Sequence, residues 1–484
     1  MNFHDFQIRA WRSDKSHIEV LVHSSPVGDM PKPVSVAAGK DLLNSSLRLF
    51  EDAAWYLKSD ILDEVIKVGR QLSDIIVPRP VHTLLLASLE RVPREDGLRL
   101  RLCLDDELTD LPWEFLYNPD PSHPDSLSGF FILNPRVSLV REAPTLSPGV
   151  ETAVGEQRMV FAGAFQAGGG DTWGVLEEHR RLSEGLQVPS DALLIDFSSA
   201  DEESISRMLQ KPATIFHYAG HTDTDNGRGY LVKELRTEGP GLKLGDDIYV
   251  QPLYSETLGA MLANAQAKLA VFSACNSGRW TFVEPLLRAG VSAVIGTQGQ
   301  VSVEAAITFC QKLYSYLAHG LSLDEAVTGA RLNLVDVSSS SGANSFEWGT
   351  FMVYMPSPGM IVFPQAEDAP TLSLTEKAHY EREQIVSTVG QRIGSAHDIS
   401  SSVDRAALRK GLMEYFSLEE LDILCQDVKQ DLADDGIELL VSLDIVGGEG
   451  AEGKALNLIR YLDRRGYLAY LVQRARKERP NIAI

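Results

Sequence analysis

Two short apolar runs constrain this chain more than any other feature. The first is Thr214-Ile215-Phe216-His217-Tyr218-Ala219-Gly220-His221, and the second is Leu269-Ala270-Val271-Phe272-Ser273-Ala274-Cys275-Asn276-Ser277-Gly278. Each reads as a buried strand followed by a polar or glycine-bearing break. If both strands lie parallel in one sheet, His221 and Cys275 come to the same edge, beyond the carboxyl ends of the strands. Open α/β sheets place their sites at that edge. A thiol beside an imidazole is the minimum apparatus for a cysteine nucleophile with a general base.

The surrounding pattern fits such a sheet. From Met159 the chain alternates strand and helix: strands at 159–165, 192–197, 291–297 and 350–354, and helices at 173–186, 202–210, 255–264, 303–318 and 322–335. A β excursion at 230–250 and a Ser/Gly loop at 338–344 interrupt it. Repeated βα units imply a mostly parallel sheet covered on both faces. Ahead of it, Phe6 to Trp11 and His17 to Ser24 alternate as a hairpin, 41–76 has helical periodicity, and 98–104 alternates as a strand. The pattern lapses around 145–156 and again after Pro364, where one helix at 376–387 is expected within a linker. The division expected is therefore 1–148, 149–360, a linker at 361–402, and a helical unit at 403–484.

Composition narrows the partners. A formal net charge of -22 argues against nucleic-acid backbones or anionic membranes as primary partners. The 44% hydrophobic content is that of a globular protein, and no run of 18 apolar residues occurs. Residues 1–6 lack the basic flank and apolar core of a signal peptide, so a reduced cytoplasmic location is expected. The four cysteines, Cys103, Cys275, Cys310 and Cys425, form no CxxC pair, and neither a zinc site nor a disulfide scaffold is expected. Gly163 to Gly170 lacks the Lys and Ser/Thr of a phosphate loop, and no GxSxG, HExxH or GxGxxG pattern occurs, so no cofactor is expected.

The last unit splits its charge. Residues 411–453 hold Lys429 against twelve acids, Glu419 and Glu420 among them; residues 454–479 hold eight bases, including Arg460, Arg464 and Arg465, against Asp463 and Glu478. Such a dipolar domain suits head-to-tail pairing with copies or relatives of itself. Ser417-Leu418-Glu419-Glu420 reads as a capping box opening a helix.

The paired His-x-x-Gly-His and Ser-Ala-Cys-Asn-Ser-Gly segments resemble the CHAT family of caspase-like cysteine peptidases. So do Gly290 to Gly296, Phe309 to Gly320, Glu325 to Arg331 and Trp348 to Tyr354, with Leu111-Pro112-Trp113-Glu114 and Val140-Arg141 ahead of them. Phe416 to Leu421 and Arg460 to Gly466 resemble the death-like effector-associated domains of bacterial immune and signalling proteins. The resemblance implies an α/β, caspase-like, mostly parallel sheet flanked by helices, preceded by a small α+β region and followed by a helical death-like domain. It assigns Cys275 as nucleophile and His221 as base or acid, with the backbone N–H groups of Cys275 and Thr222 as oxyanion donors. Thr222 stands where the family usually has Gly. The expected activity is that of a cysteine endopeptidase in anti-phage defence or programmed cell death, held quiet until its death-like domain is recruited. A protein substrate is implied, gasdermin-like pore formers being one known class. A catalytically silent adaptor is the rival, and the intact His221/Cys275 pair weighs against it.

Other residues carry less. The alternation of His217 with Phe216 and Tyr218 puts it inside the sheet layer, in a hydrogen-bonded structural role. Asp171, Asp223 and Asp246 are candidate substrate-binding acids. Relatives that cut after Arg or Lys often carry an acid two residues before the cysteine; Ser273 stands there, so a preference for basic residues is not favoured.

Overall fold

The computed structural model describes residues 2–38, 61–142 apart from 121, 122 and 124, 157–166, 174–185, 193–236, 242–243, 249–340, 346–363 apart from 357 and 358, 405–434, 443, 450–463, 468–479 and 482. The chain opens with strands β1 (Phe3–Arg12), β2 (His17–Ser24) and β3 (Val34–Ala37), helices α1 (Ile61–Ile76) and α2 (Arg79–Arg91), and strands β4 (Gly97–Leu104) and β5 (Val137–Glu142). Then come β6 (Gln157–Gly163), β7 (Phe165–Gln166), α3 (Val175–Gly185), β8 (Leu193–Ser199), α4 (Glu202–Met208) and β9 (Ile215–Ala219). An excursion of β10 (Thr222–Asp225), β11 (Arg228–Arg236), β12 (Leu242–Lys243) and β13 (Tyr249–Tyr254) precedes α5 (Ser255–Asn264), β14 (Leu269–Ser273) and α6 (Trp280–Ala289). β15 (Ala293–Thr297), α7 (Val303–Ala318), α8 (Leu323–Ser340) and β16 (Phe351–Tyr354) follow. The C-terminal unit holds α9 (Arg405–Tyr415), α10 (Leu418–Asp434), α11 (Gly450–Asp463) and α12 (Leu468–Glu478).

The main sheet has eleven strands in the order β3-β2-β1-β4-β5-β16-β15-β14-β9-β6-β8. Seven of its ten pairings are parallel, and three are antiparallel. β9, β14, β15 and β16 are buried at every residue, as strands covered on both faces must be. Their side chains alternate between two cores. Leu269 and Val271 of β14 join Leu182 of α3 and Phe309 and Leu313 of α7 on one face. Ala270 and Phe272 join Ile205 of α4, Leu258 of α5 and Phe282 of α6 on the other. β10, β11, β13 and β12 make a second sheet, with β7 pairing β11.

Local chemistry sets several boundaries. Ser302 caps α7 by accepting from Ala305 N, and Asp201 caps α4 by accepting from Ser204 N. Gly290, at φ 111°, ends α6 in the left-handed region that glycine enters without a Cβ clash. α6 and α2 are absent from the sequence reading. α6 carries Pro285 in its interior, which removes one backbone donor and breaks the pattern a helix is read from. Ser338 to Ser340, expected in a loop, continue α8, and 341–345 lie outside the described residues. Residues 41–60 and the helix expected at 376–387 also lie outside them. The division expected at 148 falls within 143–156, likewise outside; strands on both sides of it belong to one sheet, joined where β5 pairs β16.

That junction is held by a buried ion cluster. Arg141, at the end of β5, donates to both carboxylate oxygens of Glu114 and to the carbonyls of Thr109 and Leu111. Arg331 of α8 lies 3.8 Å from the same carboxylate and donates to Phe351 O of β16 at 2.5 Å. Burial brings its pKa down to about 10, Glu114 opposing the fall and Arg141 adding to it, so Arg331 is still charged near neutrality. One carboxylate thus faces two buried guanidinium groups. Trp113 donates its indole N–H to Leu108 O beside them.

The C-terminal unit has its own core, built on Leu408, Leu412, Leu421, Leu424, Leu458 and Leu471. Its expected capping box is present: Ser417 N donates to Glu420 Oε2 at 2.8 Å, and Glu420 N donates to Ser417 Oγ at 3.2 Å. None of the described helices is long and apolar enough to cross a membrane.

Removing one member of a buried ion pair leaves an uncompensated charge, which costs about 3–5 kcal/mol. Glu114→Ala should lower unfolding free energy in urea by about that amount, and Glu114→Ala/Arg141→Met should recover part of it. A Glu114→Ala protein with the wild-type urea midpoint would refute this role.

Candidate active site

β9 and β14 are adjacent and parallel, with Ala219 opposite Ser273. His221 and Cys275 each lie two residues beyond that pair, so they leave the sheet at matching register on its carboxyl edge. Both are partly exposed, and both line a cleft of about 320 Å³ together with Thr222, Asp223, Ser273 and Asn276. The apolar wall of the cleft comes from Val303 and Ala306 of α7.

Backbone packing fixes the turn that carries Cys275. Asn276 has φ 60°, an uncommon conformation for a residue other than glycine. Its N–H donates to Gly299 O at 3.1 Å, and its Oδ1 accepts from Gly299 N at 3.2 Å. Ser277, fully buried, donates through Oγ to Phe272 O and accepts from Thr297 N. Thr297 Oγ1 in turn donates to Ala274 O at 2.7 Å. A Cβ on Gly296 would lie 2.6 Å from Gly278 N, so glycine is required where the turn crosses β15.

The His221 segment is held by Tyr218. The Tyr218 hydroxyl accepts from His221 N at 3.1 Å and lies 2.8 Å from His221 O and 2.9 Å from Val232 O, its possible acceptors. A Cβ on Gly220 would lie 2.5 Å from that oxygen, so the hydroxyl and the glycine require each other. Burial pushes the Tyr218 hydroxyl far above its ordinary pKa, which keeps it protonated. Val232 N donates to His221 O just ahead of the β10–β11 ladder, whose first pair is Thr222 opposite Leu231. That flanking bond makes Thr222 and Leu231 a non-hydrogen-bonded pair, in which the N–H of Thr222 turns away from β11. Thr222 Oγ1 donates to Cys275 O at 2.5 Å, tying the two turns together.

The expected residues therefore separate. His221, Thr222, Asp223, Ser273 and Cys275 share the cleft. Asp171 and Asp246 lie outside the described residues. His217 is fully buried, hydrogen-bonded to Tyr314 and Glu178 and stacked on Phe161 at 4.7 Å, in line with the structural role read for it. Cys310 and Cys425 are buried, and burial raises both thiol pKa values, that of Cys425 to about 12. Tyr218 and Glu178 went unread as site residues. The first is one position of an apolar strand run and the second one of two acids in a helix's first turn, and neither place carries a local signal of a site.

The family model for the CHAT domain matches residues 67–356, more than half of the 484 residues. The chain belongs to the CHAT-domain family. Its CHAT domain thus includes β4 and β5 as well as the strands that carry His221 and Cys275, and its fold is the caspase-like one, a mostly parallel sheet between helical layers. A second model, effector-associated domain 7, matches residues 408–480 and covers the C-terminal helical unit. Two crystal structures of the Saccharomyces cerevisiae separase–securin complex are similar at 12% identity, over 66% of this chain and 22% and 23% of those chains, with TM-scores of 0.31 and 0.29. This chain thus spans about a fifth of the length of the chains it matches there. No curated protein matches it.

In the C-terminal unit, Glu420 pairs with Arg479 at 2.7 Å, an acidic–basic contact made within the domain. Arg460 lies in α11 and Glu419 in α10, while Arg464 and Arg465 lie outside the described residues.

Proposed function

We propose that this protein is a cysteine endopeptidase that cleaves another protein through a His221–Cys275 dyad. The observation that carries the reading is the shared register: neighbouring parallel strands deliver an imidazole and a thiol to one cleft. Cysteine attacks as thiolate. His221 takes the thiol proton, and Cys275 Sγ bonds to the scissile carbonyl carbon. The backbone N–H groups of Cys275 and Thr222 receive the oxyanion. As the C–N bond breaks, His221 returns its proton to the leaving amine, and Cys275 holds the acyl group as a thioester. Water then gives a proton to His221 and its oxygen to the acyl carbon, releasing the carboxylate and regenerating the thiol. The N–H of Thr222, turned away from β11, supports its part in this scheme.

The helical unit acts as the recruitment module. It resembles death-like domains of bacterial immune proteins, which favours a role in anti-phage defence or programmed cell death, in the cytoplasm, with a pore-forming protein of the gasdermin-like class as a candidate substrate. Its split charge suits pairing with a second such domain.

With a degenerate peptide library, Cys275→Ala and His221→Ala should each lower kcat/KM by at least about 10³-fold without changing the thermal transition. Undiminished cleavage by Cys275→Ala would eliminate the peptidase reading and leave a caspase-like adaptor. Reversing Arg464 and Arg465 to Glu should weaken self-association or partner capture in light scattering at low salt. Wild-type association should itself fade as the Debye length shortens from about 10 Å at 0.1 M to about 3 Å at 1 M salt. Association that neither reversal nor salt alters would exclude charge-directed recruitment.

A further inference from the structure

Below Cys275 the cleft is floored by a carboxylate that the sequence motif does not contain. Glu178, in the first turn of α3, is 3% exposed and lines the cleft beside Ser273. Its Oε2 accepts from Ser273 Oγ at 3.0 Å, and its Oε1 lies 3.1 Å from His217 Nε2. His217 Nδ1 lies 2.9 Å from the Tyr314 hydroxyl. Burial holds the Tyr314 hydroxyl and the Cys310 thiol well above their ordinary pKa values, so both keep their protons. His217 is thereby held between the Tyr314 hydroxyl and the Glu178 carboxylate in the buried layer beneath the cleft. The Cys310 sulfur lies within 4.8 Å of this carboxylate. The polar contacts of Glu178 are Ser273 and His217, and among the described residues no lysine or arginine pairs with it. A buried carboxylate that lines a cleft with no lysine or arginine of its own chain against it can form a charge-assisted pair with a cation brought by a ligand.

The shape of the cleft says what would bring the cation. Ser273 lies two residues before Cys275 on the same strand. The apolar Val303 and Ala306 line the same cleft as Ser273 and Glu178. Apolar walls above an acidic floor suit an aliphatic stem with a charged head. The described lining adds a second carboxylate, Asp223, and no lysine or arginine.

Resting on the peptidase reading above, we infer that Glu178 is the specificity residue of this cleft and that the substrate is cut after Arg or Lys. The acid absent at position 273 comes instead from α3, and Ser273 Oγ orients it. It runs opposite to the expectation, drawn from Ser273 alone, that basic residues are not favoured, and the test below decides between them.

The test uses the full chain and peptides that differ only in the residue before the cut: Arg, Lys, citrulline (the neutral isostere of Arg), Leu and Asp. Loss of a charge-assisted pair predicts that Arg is preferred over citrulline by roughly 10- to 100-fold in kcat/KM. That ratio should collapse toward one in Glu178→Gln and return in Glu178→Gln/Ser273→Asp, which puts a carboxylate back on the cleft floor. Benzamidine, an arginine-head probe that needs no turnover, should bind the Cys275→Ala chain by saturation-transfer NMR and lose that binding in Cys275→Ala/Glu178→Gln. Cleavage with no basic preference, or an Arg-to-citrulline ratio that survives Glu178→Gln, would overturn the inference and leave the peptidase reading standing. If no peptide is cut, the peptidase reading fails, and the benzamidine arm still decides the role of Glu178. If Glu178→Gln does not fold, the wild-type ratio and benzamidine binding to Cys275→Ala decide. Glu178, His217 and Cys310 present ligand atoms within 4.8 Å of one another. Stoichiometric zinc held by the wild type, lost in Glu178→Gln and blocking benzamidine, would also overturn the inference, because the carboxylate would then be a metal ligand.

Discussion

The pairing of β9 with β14 is the constraint on which the rest depends. Side chains alternate between faces along a strand, so a slip of one residue would send Phe272 to the wrong core and lift Cys275 away from the level of His221. The register is over-determined. Ile215, Phe216, Leu269, Ala270 and Phe272 are all buried on their assigned faces. Gly220 N reaches across to Ser273 O at 3.2 Å just where the ladder ends. The cleft inherits this precision because His221 and Cys275 sit only two residues past the last pair.

Beyond the ladder the chain must turn at once, and the turns are built from groups with no spare volume. Tyr218 fills the space that a side chain at position 220 would need, and Gly278 and Gly296 bring two backbones into contact. Farther out, Glu114 joins the first half of the sheet to α8 through Arg141 and Arg331. β16, from the far end of the CHAT domain, is inserted between β5 and β15, so that ion cluster closes a sheet whose middle strand is made last.

Much of this was readable in the residues, in a way that follows the range of the forces involved. α5 and α7 run over the spans their periodicity predicts, 255–264 and 303–318, because an amphipathic repeat and a capping serine are local signals. The two apolar runs announce strands covered on both faces, and the carboxyl-edge rule then pairs His221 with Cys275. Other features were not legible. The place of β16 in the sheet depends on contacts across two hundred residues. α6 hides its periodicity behind Pro285. Glu178 stands beside Glu177, and only the fold separates them: Glu177 faces outward to Arg180 and Arg181, while Glu178 turns under the cleft. A linear motif could report the serine at position 273 but not the carboxylate that the serine holds.

The central claim is that the strand register couples His221 to Cys275 chemically. The rate of Cys275 alkylation by iodoacetamide, followed by mass spectrometry at pH 7, tests it most directly. Partly buried Cys103, whose thiol pKa is raised by burial, serves as the internal standard. Coupling predicts that His221→Ala slows Cys275 alkylation by about tenfold or more, because a free thiol is only a few per cent ionised at that pH, and leaves Cys103 unchanged. Equal Cys275 rates in the wild type and His221→Ala would contradict the account.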